Sequence, residues 1–528
     1  GLAFPTSLLL AAGVTALIAM LVGTPALRMT GLFLAVTTLA LAVAAPWLLS
    51  RPVFADDPSL ILLPRQQWLG ISLASQRAYY YVCLGVLALT IVAVARIRRS
   101  GLGRTMLAVR DNEQSAAALG LSPVRTKLVA FGISGFLAGL AGGLFGGLLV
   151  SYEPGRFLVT DSLSVVAIAV VGGLASITGT VLGALLIIGF PAFFPDNPEV
   201  GLLTSGAGIL LLLMYLPGGL VQILYGVRDL VLGWVAARRP EPEAAPKVLP
   251  TGAGHLPERP LPPEGAAGLV VVGVRVRFGA RAVVDDVDLR VERGEVVGLI
   301  GANGAGKSTL MNAIGGFVPA DGRFEVLGTD VTGRAPHRRA AAGLGRSFQG
   351  AELFGDLTVG ETVAVALESR AHAGLLSVTL GLPKARRMDR AVRAQTDEIL
   401  TFLGLGPYRE RFISELSTGT RRIVELACLL AAEARLLCLD EPTAGIAQRE
   451  SEAFGPLLLR LREELSASLL VIEHDMPLVM AISDRIYCLE AGRLIAEGTP
   501  DEVRNDPHVI ASYLGTDEEA IARSGTTD

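Results

Sequence analysis

Gly301-Ala302-Asn303-Gly304-Ala305-Gly306-Lys307-Ser308-Thr309 follows the β-like run Val296 to Ile300 and leads into the helix-like run Leu310 to Ile314. Strand, glycine-rich turn, Gly-Lys-Ser and helix in that order form a phosphate-binding loop. The glycines let backbone N–H groups approach a polyphosphate, and the helix presents its positive N-terminus to the same charge. Lys307 can then reach the β- and γ-phosphates, and Ser308 can ligand Mg²⁺. A chance glycine turn would not carry all of these features in sequence. What the nucleotide drives has to be read from the rest of the chain.

The 528 residues exceed one ordinary domain, and a hydrophobic content of 51% with only 18% charged residues points away from an all-soluble protein. The mean hydropathy of +0.51 averages two unlike halves. Residues 1–235 hold long apolar segments with few charges, whereas 268–515 have the mixed composition of a soluble α/β domain. Between them residues 236–267, rich in Pro, Glu, Ala and Gly, read as an extended linker, and 516–528 as a tail. A net charge of −4 and a pI near 5.9 give no case for nucleic-acid binding. Cys83, Cys428, Cys438 and Cys488 form neither a CxxC nor a Cys/His cluster and read as buried thiols in a reducing compartment.

In the apolar half, candidate membrane passes cover about 3–24, 31–50, 78–96, 128–151, 162–175, 178–195 and 202–224. The pair around the turn Gly172–Gly179 could be a hairpin. Arg96, Arg98, Arg99, Arg104, Arg110, Arg125 and Lys127 crowd the segment after the third pass, and Arg238 and Arg239 follow the last. Both segments are therefore expected in the cytoplasm. Counting back through three passes puts Gly1 outside, with the expectation that at least one further helix precedes it. Residues 51–77, with Asp56, Asp57 and Trp68, are then an outer loop marking the membrane interface. Gly135, Gly139, Gly143 and Gly147 recur every four residues, a stripe on which another helix can pack closely. With no charge deep in any pass, the path suits an apolar solute better than a proton or inorganic ion. Asp111 to Leu119, stopped by Gly120 and Pro123, is a short cytoplasmic helix able to pass movement between an ATPase and the membrane.

In the soluble half, apolar runs at 270–276, 284–291 and 296–300 are strands leading to the phosphate loop, with Phe278 placed where a ring could stack on a base. Leu436 to Leu439 is a buried strand ending in Asp440 and Glu441, suited to hold Mg²⁺ and activate water respectively. A second apolar strand, Ser468 to Ile472, ends in Glu473-His474-Asp475 at the same sheet edge. Gln349 in Ser347-Phe348-Gln349 could meet Mg²⁺ or the attacking water. Ser417 in Leu416-Ser417-Thr418-Gly419-Thr420-Arg421-Arg422 is suited to cap a helix whose N-terminus faces phosphate.

This order of motifs resembles the ATPase domain of ABC transporters over residues 270–515. The resemblance implies a multi-domain protein: an all-α polytopic membrane domain followed by an α/β P-loop NTPase domain with a helical subdomain. It implies ATP held by Phe278, Asn303, Gly304, Ala305, Gly306, Lys307, Ser308 and Thr309, with Ser417 and Gly419 as the signature. It places Mg²⁺ at Ser308, Gln349 and Asp440, and catalysis on Glu441 as base, His474 as switch histidine, Lys307 and Gln349. The ending, Ile472 to Met480 through Ile482 to Ile486 and Tyr513 to Gly515, is similar to the branched-chain amino acid importer ATPases. Gly103-Arg104 through Arg110 to Glu113, Ala118 to Pro123, Lys127 to Phe131, Val170 to Leu174 and Leu216 to Leu220 resemble the permease of the same system, with 111–120 as its coupling helix.

The implied function is ATP-driven import of branched-chain or related amino acids across the cytoplasmic membrane, with the chain multi-pass and its ATPase domain in the cytoplasm. Urea or short amides are alternative solutes, and an exporter is the more distant alternative. The implied partners are a second permease, a second ATPase and an external or periplasmic solute-binding protein. Two departures stand out. Thr420 occupies the usual signature glutamine position, and Ala447 a position where this family often carries Asn or Asp. In ABC dimers the signature completes the other subunit's site, so these changes bear on the partner's ATP site.

Overall fold

The computed structural model describes residues 4–27, 32–49, 67–68, 71–149, 159–174, 176–197, 199, 214–216, 218–236, 266–370, 374–445 and 448–514. It separates into two compact units: Gly1–Ala95 with Lys127–Ala244, and Arg96–Thr126 with Ala245–Asp528. The cytoplasmic segment between the third and fourth passes thus belongs with the ATPase.

The first unit holds the long apolar helices α1 (Phe4–Ala26), α2 (Leu32–Leu49), α3 (Gln76–Arg98) and α6 (Pro123–Leu149), save the last three residues of α3 and the first four of α6, which belong to the second unit. The short β1 (Gln67–Trp68) and β2 (Ile71–Ser72) come before α3. Phe4–Pro25, Gln76–Arg98 and Pro123–Leu149 are 22, 23 and 27 residues long. Each is enough for the roughly 30 Å hydrocarbon core at about 1.5 Å per residue. Leu9, Leu17, Leu21 and Leu89 lie exposed on them, a surface suited to lipid.

The glycine stripe is a seam. A Cβ at Gly139 would stand 2.7 Å from Ala12 Cα, one at Gly143 2.6 Å from Leu8 Cδ1, and Gly135 faces Ala16 and Ala19 of α1. At the end of the stripe Tyr79 Oη donates to Leu144 O at 2.6 Å. Neighbouring Gly142 has nothing within 4 Å. The pair α7 (Val159–Gly172) and α8 (Ile177–Ala184) is the expected hairpin, with Ser176 Oγ capping α8 by accepting from Gly179 N at 3.0 Å. Gly172, Gly179 and Gly183 let the two backbones touch. Beyond α8 the chain runs through a π turn at Leu185–Gly189 to Ala192.

Residues 202–213 of the expected last pass, Asp56 and Asp57 of the expected loop, and 237–265 of the expected linker lie outside the described residues. The helix that is described there, Val221–Ala236, starts where the last pass was expected to end.

The second unit holds two sheets. One is six-stranded in the order β12-β11-β5-β10-β9-β8, parallel except for the edge strand β12, and the other is antiparallel in the order β4-β3-β6-β7. Their strands are β3 (Leu269–Phe278), β4 (Arg281–Val291), β5 (Val296–Ile300), β6 (Asp321–Val326), β7 (Thr329–Asp330), β8 (Leu344–Arg346), β9 (Leu436–Asp440), β10 (Ser468–Ile472), β11 (Arg485–Glu490) and β12 (Arg493–Gly498). Every residue of β5, β9 and β10 is buried, as unbroken apolar runs require when both faces of a parallel sheet are covered. Ile472 sits opposite both Leu299 and Asp440, so the carboxyl ends of these three strands are level. That register gathers the segments after each strand at one edge.

Helices Val359–Glu368, Pro383–Phe402 and Thr418–Ala431 form the helical subdomain. Against it lie α4 (Gly101–Asp111) and α5 (Glu113–Ala118). The helix expected over 111–119 is thus α5, which starts two residues later than expected and follows a separate helix, α4. Asn112 leaves helical geometry at φ −148°, ψ 103°, and its Oδ1 accepts from Ser115 N at 2.9 Å. Its side chain competes with the helical ladder, ending α4 and capping α5. Ala108, Val109, Ala116, Leu119 and Leu121 share one buried cluster with Phe354, Leu357, Val359 and Val363.

Candidate functional site

The loop after β5 turns on glycines whose backbone would be strained with a side chain. Gly304 has φ 84° and Gly306 φ 106°, and a Cβ at Gly306 would stand 2.7 Å from Val283 O. Lys307 opens the next helix, Lys307–Gly315. Its Nζ donates to Gly301 O at 2.6 Å and Ala302 O at 3.1 Å. Burial lowers the Lys307 pKa, while Glu441 and Asp440 oppose that shift. The ammonium therefore lies within reach of both carboxylates' fields. Ser308, in the same first turn, is exposed.

Asp440 ends β9 buried. Its N–H donates to Ser347 Oγ at 3.0 Å, and its Oδ2 accepts from Arg346 Nη2 at 3.3 Å. Burial raises the Asp440 pKa, and the Arg346 guanidinium works against that shift. Oδ1 is buried with no hydrogen-bond partner. An orphaned carboxylate oxygen at the end of this strand, with a hydroxyl at Ser308, is an oxygen donor set that fits Mg²⁺.

Glu441 is held with φ 49°, a conformation costing a side-chain-bearing residue roughly 1–2 kcal/mol. Its N–H donates to Ile472 O at 2.8 Å. Gln349 Nε2 donates to its Oε2 at 2.9 Å, and His474 Nε2 lies 3.1 Å from its Oε1. The loops after β8, β9 and β10 are thus joined through one carboxylate. Glu473, buried beside His474, accepts from Thr443 N at 2.7 Å and Thr443 Oγ1 at 2.6 Å through Oε1, and from His474 N at 3.1 Å through Oε2.

The segment carrying Gln349 is gripped from the helix Thr418–Ala431. Arg422 Nη1 donates to Phe348 O at 2.8 Å, Glu425 Oε1 accepts from Phe348 N at 3.0 Å, and the two side chains pair at 3.1 Å. Ser417 caps that helix, its Oγ accepting from Thr420 N at 3.3 Å and lying 3.0 Å from Thr420 Oγ1. Its bonds are made within its own first turn. Phe278 stands exposed at the turn between β3 and β4, paired in register with Arg281. Ala447 lies outside the described residues.

Arg346, Arg422, Glu425, Thr443 and the bridging role of Glu473 were not legible beforehand. Arg422 and Glu425 stand three apart on a helix, the one spacing that could have flagged them.

A second polar cluster fixes α4 and α5. Arg104 donates to Glu368 from Nε at 3.1 Å and again from Nη2, and to Asp389 at 2.9 Å. Burial works against the Arg104 charge, but Glu368 and Asp389 outweigh it and raise the pKa. Arg110 pairs with Asp356, Asp356 N donates to Asp111 Oδ2 at 3.1 Å, and Ser115 Oγ donates to Glu352 O at 2.6 Å. Glu352 and Asp356 lie a few residues beyond Gln349, so α5 is seated on the chain that leads out of the site.

A parallel-sheet P-loop core with this site and a helical subdomain defines an ABC-type ATPase, and the ABC transporter family model matches residues 284–444. Residues 1–213 match the family described as branched-chain amino acid transport system / permease component, and 493–519 the branched-chain amino acid ATP-binding cassette transporter family. The high-affinity branched-chain amino acid transport ATP-binding protein BraF of Pseudomonas aeruginosa is 37% identical over 47% of this chain and 97% of its own length. LivG of Escherichia coli K12, of the same description, is 38% identical over 47% and 97%. A solved nucleotide-free ATP-binding cassette from an ABC transporter is 29% identical over 47% of this chain and 99% of that one, with a TM-score of 0.42.

The chain belongs to the branched-chain amino acid ABC transporter family, with permease and ATP-binding components in one polypeptide. It is an ATP-hydrolysing, Mg²⁺-dependent, multi-pass inner-membrane protein with its ATPase domain in the cytoplasm. Membership implies a multi-subunit system of permease, ATPase and solute-binding components.

Proposed function

We propose that the chain is one permease–ATPase half of an importer for branched-chain or related amino acids, working with a second permease, a second ATPase and an external solute-binding protein. The observation that carries this reading is the pairing of the permease match over 1–213 with the ATP-binding matches over 284–444 and 493–519. The ATPase alone would not decide cargo or direction. The lipopolysaccharide export ATP-binding protein LptB of Haemophilus influenzae is also 34% identical over 45% of this chain and 93% of its own length.

In this reading Lys307 moves from its loop carbonyls to the β- and γ-phosphates of ATP, and the N–H groups of Asn303 to Thr309 line the phosphates. Phe278 stacks on the base. Bound Mg²⁺ supplies charge neutralisation at the phosphates, with Ser308 and Asp440 holding it and Gln349 beside it. Glu441 polarises the attacking water, and His474 and Gln349 hold its carboxylate in place. Ser417 and Gly419 meet the nucleotide of the partner ATPase. The pull reaches the permease through the seat of α4 on Asp356 and of α5 on Glu352.

The test is ATP-driven uptake of labelled leucine against labelled urea in proteoliposomes holding the chain, its co-purified partners and the binding protein. Leucine uptake that disappears with Glu441→Gln supports the reading. Uptake of urea alone replaces the solute, and hydrolysis with no inward transport of either overturns the importer assignment.

A further inference from the structure

The single helical turn Leu375–Thr379 runs through Leu380, Gly381 and Leu382 into the helix Pro383–Phe402. Val378 is buried, but Leu375 is 37% exposed, Leu376 76%, Leu380 63% and Leu382 44%. Lys384, Arg386 and Arg387 follow, all exposed. A tight group of bare leucines beside cations is a surface that water does not favour.

Arg96 says what covers it. This arginine lies in the last turn of α3, a 23-residue helix long enough to cross a bilayer. It belongs to the same compact unit as the leucine turn. An arginine at the end of a span carries its guanidinium to the headgroup level. Arg96 Nη1 donates to Thr379 O at 3.2 Å. A Cβ at Gly381, where φ is 66°, would stand 3.6 Å from Arg96 Cζ and 3.8 Å from Arg386 Nη2. The turn is therefore one hydrogen bond from the cytoplasmic end of a span, and Arg96 and Arg386 meet at Gly381.

We propose that Leu375–Leu382 is an interfacial anchor: its leucines enter the headgroup–acyl boundary of the cytoplasmic leaflet, and Arg96, Lys384, Arg386 and Arg387 bind the phosphates of anionic lipids. An apolar face set among basic residues is the chemistry of monotopic membrane attachment, and the anionic leaflet attracts such residues electrostatically. The anchor leads straight into the helix that carries Asp389, the partner of Arg104. Lipid engagement is thus mechanically continuous with the seat of α4.

The test uses the full chain with its co-purified partners, Cys83→Ser, and an environment-sensitive fluorophore on Leu376→Cys or Leu380→Cys. Proteoliposomes are made of phosphatidylcholine alone or of phosphatidylcholine and phosphatidylglycerol in equal amounts. A label on Gly333→Cys, an exposed turn in the same unit, is the reference. Basal ATP hydrolysis reports folding of each variant. A nitroxide on the upper acyl chain should quench the Leu376 and Leu380 labels several-fold more than the Gly333 label, and more in the anionic vesicles. Arg386→Gln with Arg387→Gln should remove that anionic excess. Quenching by aqueous iodide in place of the lipid nitroxide, or shielding from both as under a protein partner, overturns the proposal. Equal quenching in both vesicle types overturns the role of the cations.

Discussion

Where α6 meets α1, the contact depends on what its side chains lack: Gly135, Gly139 and Gly143 bring the backbone against Ala12, Ala16, Ala19 and Leu8. Where α4 meets the helix Val359–Glu368, it depends on charge, with Arg104 buried against Glu368 and Asp389. The difference follows from the solvent. In lipid, exposed leucines lose nothing by staying apart, so helices associate through close van der Waals approach at small residues. In the cytoplasm apolar burial already joins Ala108 and Val109 to Val359 and Val363. A buried ion pair adds little net stability there, because desolvation offsets most of its attraction. What it adds is one acceptable alignment, since any slip leaves a charge unpaired.

The largest test of that contrast sits where charge does chemistry. Glu441→Gln should lower steady ATP turnover by about 10²–10⁴-fold while ATP binding persists, because the amide keeps the bonds available to Gln349 and His474 but cannot take a proton. Turnover and nucleotide affinity measured on one preparation separate the two effects. Unchanged turnover would falsify the role of base.

Next in size is Arg104→Met, which leaves Glu368 buried without its cation at a cost of about 3–5 kcal/mol to the seating of α4. Basal hydrolysis should persist while hydrolysis stimulated by the binding protein and solute falls. The exchange Arg104→Glu with Glu368→Arg should restore part of the stimulation if alignment is the issue. A single variant that stays fully coupled would show that apolar burial alone seats the helix.

The same contrast explains what could be read in advance. The glycine stripe was visible because its period is that of a helix face, and the phosphate loop, Asp440-Glu441 and His474 because each follows an unbroken apolar strand. Arg104 and Arg346 were not, since nothing local distinguishes an arginine buried on a distant carboxylate from one in water. Arg346 meets Asp440 across 94 positions and Arg104 meets Glu368 across 264. The later start of the expected coupling helix, after Asn112, turned on a side chain that serves equally inside a helix or as its cap. Local preference leaves that choice to the packing of Ala108 and Ala116.

On the membrane side, Gly139→Leu should cost about 1–3 kcal/mol by forcing α6 away from Ala12 and Thr15, whereas Gly142→Leu, with open space around it, should cost little. Cysteine crosslinking between α1 and α6 in each variant, or resistance to unfolding in detergent, reads the difference. Equal loss at both positions would mean that glycine there serves helix flexibility and that the seam is incidental.

The smallest effect is a pH dependence confined to the ATPase unit. His337 begins the helix Pro336–Ala341 that packs on α5, and its pKa is lowered by burial first and then by the cations Arg338 and Arg125. Lowering it means that the unfolded chain takes up this proton at a higher pH than the folded one. Between the folded value and the ordinary 6.5 the unfolded state therefore binds more protons, and stability rises with pH through that window. Acidification below neutrality should weaken the unit slightly, and His337→Gln should flatten the slope while leaving stability at pH 8 unchanged. Arg125→Gln should flatten it in part, because it removes one of the two cations that disfavour the imidazolium. Denaturant midpoints compared across the window decide the point: a slope that survives both substitutions would place the acid sensitivity elsewhere, and a slope lost only with His337 would leave Arg125 without a part in it.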